Sequence, residues 1–209
     1  MFWVLDRPAV RLDDCIYATI SGAGDKPTWQ SSICPTCGRS KFIRQVRDLS
    51  VELYGSLLLD FVWMDSPDIL VRATLMELLR NSPLAGLAFR KVNIVAWWQT
   101  DPTTQETIDW LVGNPAPELF QLLVLGKGGS ILPQNKPRIE SACTVCGTLT
   151  YAPLEKGIFV DPSQWDGSDI FVMQEFPGYV LVTERFLHLL TAHQIQNYIA
   201  IPAEEFSMI

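Results

Sequence analysis

The 209-residue chain has little of what most enzymes need. It holds two histidines, His188 and His193. They stand five residues apart, so they do not share a helix face as two metal ligands at i and i+4 would. Glu184 and His188 are four apart, and a solvated or capping role suits that pair. No G-x-S-x-G, H-E-x-x-H or Cys–His–Asn pattern is present,. The expectation is a protein that is not an enzyme.

Other absences narrow the class further. No apolar run approaches the ~18 residues of a membrane span. Met1–Pro8 lacks a basic start and its apolar stretch stops at Asp6, which argues against a signal peptide,. A cytoplasmic protein with no membrane partner is expected. The glycine-rich stretch Gly126-Lys127-Gly128-Gly129-Ser130 has neither phosphate-loop spacing, and Leu132-Pro133 follows where a helix should begin,. It reads as a flexible turn. No repeat of 20–50 residues is visible.

Charge is also scarce, at 19% of residues, and its balance is negative, −7 at pH 7. An acidic protein repels phosphate backbones and favours basic partners. Ordinary solubility charge accounts for the same number. Hydrophobic residues make up 48%, with seven Trp and ten Phe, enough for a substantial core and against disorder,. One domain spanning 1–209 is expected.

Four of the five cysteines form two copies of one pattern: Cys34-Pro35-Thr36-Cys37-Gly38 and Cys143-Thr144-Val145-Cys146-Gly147. Two residues between cysteines let both sulfurs point into one small space. The glycine that follows permits a positive φ, so the chain can turn back and aim backbone N–H groups at the sulfurs. Four thiolates complete a closed tetrahedral Zn²⁺ site, which is structural because no position is left for water. The metal ligands are therefore Cys34, Cys37, Cys143 and Cys146. The competing reading is a redox dithiol, but such enzymes keep one C-x-x-C pair at a helix N-terminus. Cys15, in an apolar stretch, reads as a buried small hydrophobe.

The remaining pattern predicts an α+β fold: a mixed, mainly antiparallel sheet, two main helices and an embedded four-cysteine zinc ribbon assembled from about 28–48 and 136–152. Strands are expected over 2–5, 15–20, 28–33, 49–54, 57–63, 87–98, 119–125, 170–176, 179–182 and 198–201, with 57–63 central. Ser66, Pro67 and Asp68 predict a helix start, with the helix running to Arg80. A second helix starts at a Thr183 cap with Glu184 in its first turn. Asp101–Thr104 suggest a short helix through Trp110. Trp97 and Trp98 would place one indole on each face of a strand. The cluster Arg39–Arg47 beside the first motif gives the alternative function, a zinc-ribbon module for nucleic acid or the transcription apparatus. Asp48 and Glu52, close behind, favour a solvated face.

The two C-x-x-C-G motifs, a hundred residues apart, resemble the double-CXXCG-motif proteins first noted as paralogues in myxobacteria. Trp165-Asp166-Gly167-Ser168-Asp169-Ile170-Phe171 and Gly178-Tyr179-Val180-Leu181-Val182-Thr183-Glu184-Arg185-Phe186 resemble the ending of that family and of related immunity proteins. Residues 50–135 match nothing specific. The resemblance implies an immunity protein: cytoplasmic, non-catalytic, binding a cognate toxin stoichiometrically. A basic, nuclease-like toxin would complement the acidic charge.

Overall fold

The structure is a computed structural model that describes residues 1–8, 15–21, 30–38, 40–43, 49–64, 68–100, 104, 106–155 and 157–208. In chain order the strands are β1 (Phe2–Asp6), β2 (Tyr17–Ile20), β3 (Gln30–Ile33), β4 (Ser40–Ile43), β5 (Ser50–Tyr54), β6 (Phe61–Trp63) and β7 (Ile69–Arg72). Helix α1 (Ala73–Arg80) follows, then β8 (Leu87–Lys91), β9 (Asn93–Thr100), β10 (Thr107–Asp109), β11 (Leu119–Val124) and β12 (Gly126–Lys127). The chain continues through β13 (Ile139–Ala142), β14 (Leu149–Tyr151), β15 (Ile170–Val172), β16 (Val180–Thr183), α2 (Glu184–Ala192) and β17 (Ile199–Pro202). The fold is mixed and strand-dominated, with mostly antiparallel pairing and two α-helices among the described residues.

The strands do not share one sheet. Three larger sheets run β12-β15-β16-β1-β17, β6-β7-β11-β8 and β10-β9-β5-β2, and two hairpins, β3-β4 and β13-β14, stand apart from them. Among the described strand pairs, β12–β15 and β5–β9 are parallel and the others antiparallel; the isolated bridges Cys15–Leu57 and Ala18–Met64 are also parallel.

Alternation along the strands explains the stacking. In the β6-β7-β11-β8 sheet, Phe61, Ile69, Val71 and Leu122 face one core, while Val62, Leu70 and Leu119 face another. The first core also takes Leu75, Met76 and Leu79 from α1, Phe186 and Leu190 from α2, and Leu5, Ile170 and Val182 from the five-stranded sheet. The second is closed by Ala18, Val51, Leu53 and Trp97 of the β10-β9-β5-β2 sheet. The far face of the five-stranded sheet, with Val4, Phe171 and Leu181, is covered by Ile131, Leu154, Ile158 and Phe206. A fully buried Phe or Leu contributes about 1.5–3 kcal/mol by area.

Several expectations change. The helix expected up to Arg80 is a strand followed by a helix: β7 occupies Ile69–Arg72, and α1 begins at Ala73. Ile69, Leu70 and Val71 are buried between β6 and β11, where a pleated, β-branched segment fits better than a helix turn,. Ser66 and Pro67 lie outside the described residues. Asp68 is a buried acceptor from Gln121 Nε2 at 2.8 Å.

The segment 57–63 is neither one strand nor central. Leu57 makes an isolated bridge with Cys15, and only Phe61–Trp63 pair, at a sheet edge. The chain bends at Asp60, whose carboxylate accepts from Gln196 N at 2.9 Å and whose carbonyl accepts from Arg72 N at 3.1 Å. Cys15 is half-buried, not buried. The long strand over 87–98 breaks at Val92, where the chain passes from one sheet to the next. The short helix expected through Trp110 is instead β10, paired antiparallel with β9; residues 101–103 and 105 lie outside the described set. The glycine-rich stretch is not a loose turn. Gly126 and Lys127 pair with Phe171 and Val172, and a Cβ on Gly126 would run into the Ile170 carbonyl and the Ser168 side chain.

Thr183 does cap α2: its hydroxyl accepts from Phe186 N at 3.4 Å. Trp97 and Trp98 do face opposite ways. Trp97 is buried in the second core and donates to Gly55 O at 2.7 Å, while Trp98 donates to Glu52 Oε2 at 3.0 Å.

Candidate metal centre

Each C-x-x-C-G motif forms the tip of a hairpin, the first between β3 and β4 and the second between β13 and β14. The two tips repeat one turn. Gly38 N donates to Cys34 O at 2.9 Å, and Gly147 N donates to Cys143 O at the same distance. Gly38 has φ +67° and Gly147 φ +71°. Nothing crowds either glycine, so the residue is required by backbone sign and not by space,.

The turns bring Cys34, Cys37, Cys143 and Cys146 together, with all four sulfurs within 4.8 Å of one another. Cys34 Sγ lies 3.7 Å from Cys143 Sγ, and Cys37 Sγ lies 3.7 Å from Cys146 Sγ. A tetrahedral zinc with bonds of ~2.3 Å needs sulfur–sulfur edges of about 3.8 Å. None of the four is in a disulfide. The 3.7 Å approaches join one hairpin to the other, across 109 residues of chain. The four cysteines are close enough to hold one metal ion and are compatible with zinc. Among the described residues this is the one such cluster of His, Cys, Asp and Glu.

The surroundings favour thiolate, the form that binds metal. The backbone N–H groups of Cys37 and Thr36 lower the Cys34 thiol below its ordinary value. At Cys146 the Thr148 hydroxyl, 3.2 Å from the sulfur, acts first and the Thr148 backbone second, bringing the thiol down to about 6. Thr148 follows the glycine directly, and sequence reasoning passed over it. A hydroxyl next to a C-x-x-C-G is the signal that could have found it.

The second hairpin is rooted in the body of the protein. Lys136 Nζ sits 2.9 Å from Glu175 Oε1, and Glu175 also accepts from the Ser130 hydroxyl and from Ile131 N at 3.1 Å. Burial pushes the Glu175 carboxyl up, but these donors outweigh it and hold it below the ordinary range. Tyr151 of β14 packs on Phe176, ring centroids 6.0 Å apart. A metal would therefore tie the β3-β4 hairpin to an arm already anchored in the core.

Neither histidine is among the clustered residues. His188 lies beside Pro83 and Leu84 in a groove along α2, and His193 ends that helix. Of the basic stretch, Arg39 and 44–48 lie outside the described residues. No described helix is long and apolar enough to cross a membrane. No protein-family model matches the chain, and no curated protein matches it.

Proposed function

We propose that the chain is a zinc-stabilised immunity protein. It binds a cognate bacterial toxin in the cytoplasm, one to one, and neutralises it without catalysis. The observation that carries this reading is the convergence of two equivalent C-x-x-C-G turns on one four-sulfur cluster. That is the motif pair on which the resemblance to the double-CXXCG family rests, and its sulfur spacing fits a closed zinc ribbon.

In this reading the zinc ribbon is a fastener. A closed four-thiolate site leaves no coordination position for water or substrate. The net charge of −7 supports a basic, nuclease-like partner and disfavours nucleic acid,.

The test is co-expression with the product of the adjacent toxin gene. The expected result is a stoichiometric complex, with growth rescued in cells that make the toxin. Absence of both complex and rescue overturns the proposal.

A further inference from the structure

The two faces of the β10-β9-β5-β2 sheet differ. One buries Ala18, Val51 and Leu53 in the second core. The other carries half-buried aromatic rings and carboxylates. Register places Asp109, Trp98, Tyr54 and Tyr17 in one row across all four strands. Tyr17 and Tyr54 stack, with ring centroids 5.1 Å apart and 13° between planes.

Glu52 lies on the same face. Its Oε2 accepts from Trp98 Nε1 at 3.0 Å and from the Tyr54 hydroxyl at 3.1 Å, and its Oε1 accepts from the Ser21 hydroxyl at 3.1 Å. Three neutral donors thus fix the carboxylate's orientation. Among the described residues no lysine or arginine forms an ion pair with it. The Trp98 indole, ahead of the two hydroxyls, keeps Glu52 below the ordinary carboxylate range despite burial and the nearby charge of Asp109. A negative charge therefore stands oriented among aromatic rings. Among the described residues Oε1 has one donor, which leaves a lone pair for another,.

We propose that this sheet face receives an arginine side chain of a basic partner protein, its guanidinium against the aromatic row and Glu52 as counter-ion. Guanidinium is planar, cationic and weakly hydrated, so it stacks on aromatic faces while donating to a carboxylate. A lysine ammonium has no plane to stack. The acidic chain adds long-range attraction for a basic partner,. The proposal names the contact surface for toxin binding, and it rests on that reading for the partner's identity.

The test titrates the whole ¹⁵N-labelled protein with hexa-arginine peptide, and with hexa-lysine in parallel. The Trp98 indole N–H resonance, assigned by its loss in Trp98→Phe, moves saturably with hexa-arginine and less with hexa-lysine. Glu52→Gln weakens hexa-arginine binding about tenfold, the scale of one charge-assisted hydrogen bond. Glu77→Gln, which removes the same charge from the exposed side of α1, leaves it within about twofold. An unmoved Trp98 resonance in the wild-type protein overturns the proposal without relying on any variant. So does equal weakening by the two glutamine variants, or none by Glu52→Gln. Arginine binding without a toxin complex would sink the immunity reading alone. A toxin complex indifferent to Glu52→Gln would sink this site alone.

Discussion

Asp169 Oδ1 accepts a hydrogen bond from the Thr183 hydroxyl at 2.8 Å, and the same Thr183 oxygen accepts Phe186 N at the start of α2. Asp169 is 2% exposed. Its second oxygen accepts Ala85 N at 3.0 Å, and Arg185 Nη1 lies 3.5 Å from the first. Phe171 packs against Phe2 and Trp165, and Trp165 Nε1 donates to Ser168 O at 3.1 Å. The C-terminal stretch that carries the family resemblance is thus a structural hub. It joins the β15 turn, the α2 cap and the segment before β8.

Breaking that hub is expected to be costly. Asp169→Ala strands a buried hydroxyl and a backbone N–H, and should cost about 2–4 kcal/mol. Thr183→Val removes the cap and one carboxylate donor, about 2 kcal/mol. Because the two share one bond, the double variant should cost about 1 kcal/mol less than the sum. Urea unfolding of the three variants checks this. Strict additivity would show that the bond contributes nothing.

Glu175 gives a pH dependence with a definite sign. Its folded pKa is depressed, so its contribution is complete above the unfolded carboxyl value near ~4.3 and is lost as pH falls through the lower folded value,. Glu175→Gln should be less stable than wild type at pH 7, and the gap should narrow below about pH 4. A gap that is constant between pH 7 and pH 3 would contradict the assignment.

Gly126 separates a packed strand from a loose turn. Gly126→Ala drives a methyl into the Ile170 carbonyl and Ser168. The expected loss is about 1–3 kcal/mol by overpacking. Thermal melts decide it: an unchanged melting temperature would restore the flexible-turn reading.

How much of this was legible in the chain follows from the range of each signal. The C-x-x-C-G turns are local, and their glycines adopt the positive φ that the pattern demands. The Thr183-Glu184 start of α2 is equally local. The Ser66-Pro67-Asp68 signal misleads because the next residues, Ile69–Val71, are claimed by β6 and β11 through long-range pairing. Parallel pairing of β5 with β9 joins segments about forty residues apart, and no hairpin turn announces it. Asp169, Glu175 and Glu52 look like any other carboxylates in sequence. Only the fold gives each its donors.

The metal is expected to stabilise the junction of the two hairpins more than the cores. Cys34→Ser or Cys143→Ser should lose the ion and lower the melting temperature while the three buried clusters persist,. Far-ultraviolet circular dichroism should change little. Complete unfolding of either variant at 25 °C would show that the cores depend on the clamp.

Zinc content read together with X-ray absorption at the zinc edge tests the central claim most directly. One zinc per chain is predicted, surrounded by four sulfurs at ~2.3 Å, with Cys34→Ser and Cys146→Ser each abolishing stoichiometric binding. Metal-free protein with Cys34 bonded to Cys37, or one ion on each hairpin, would contradict a single site built from both.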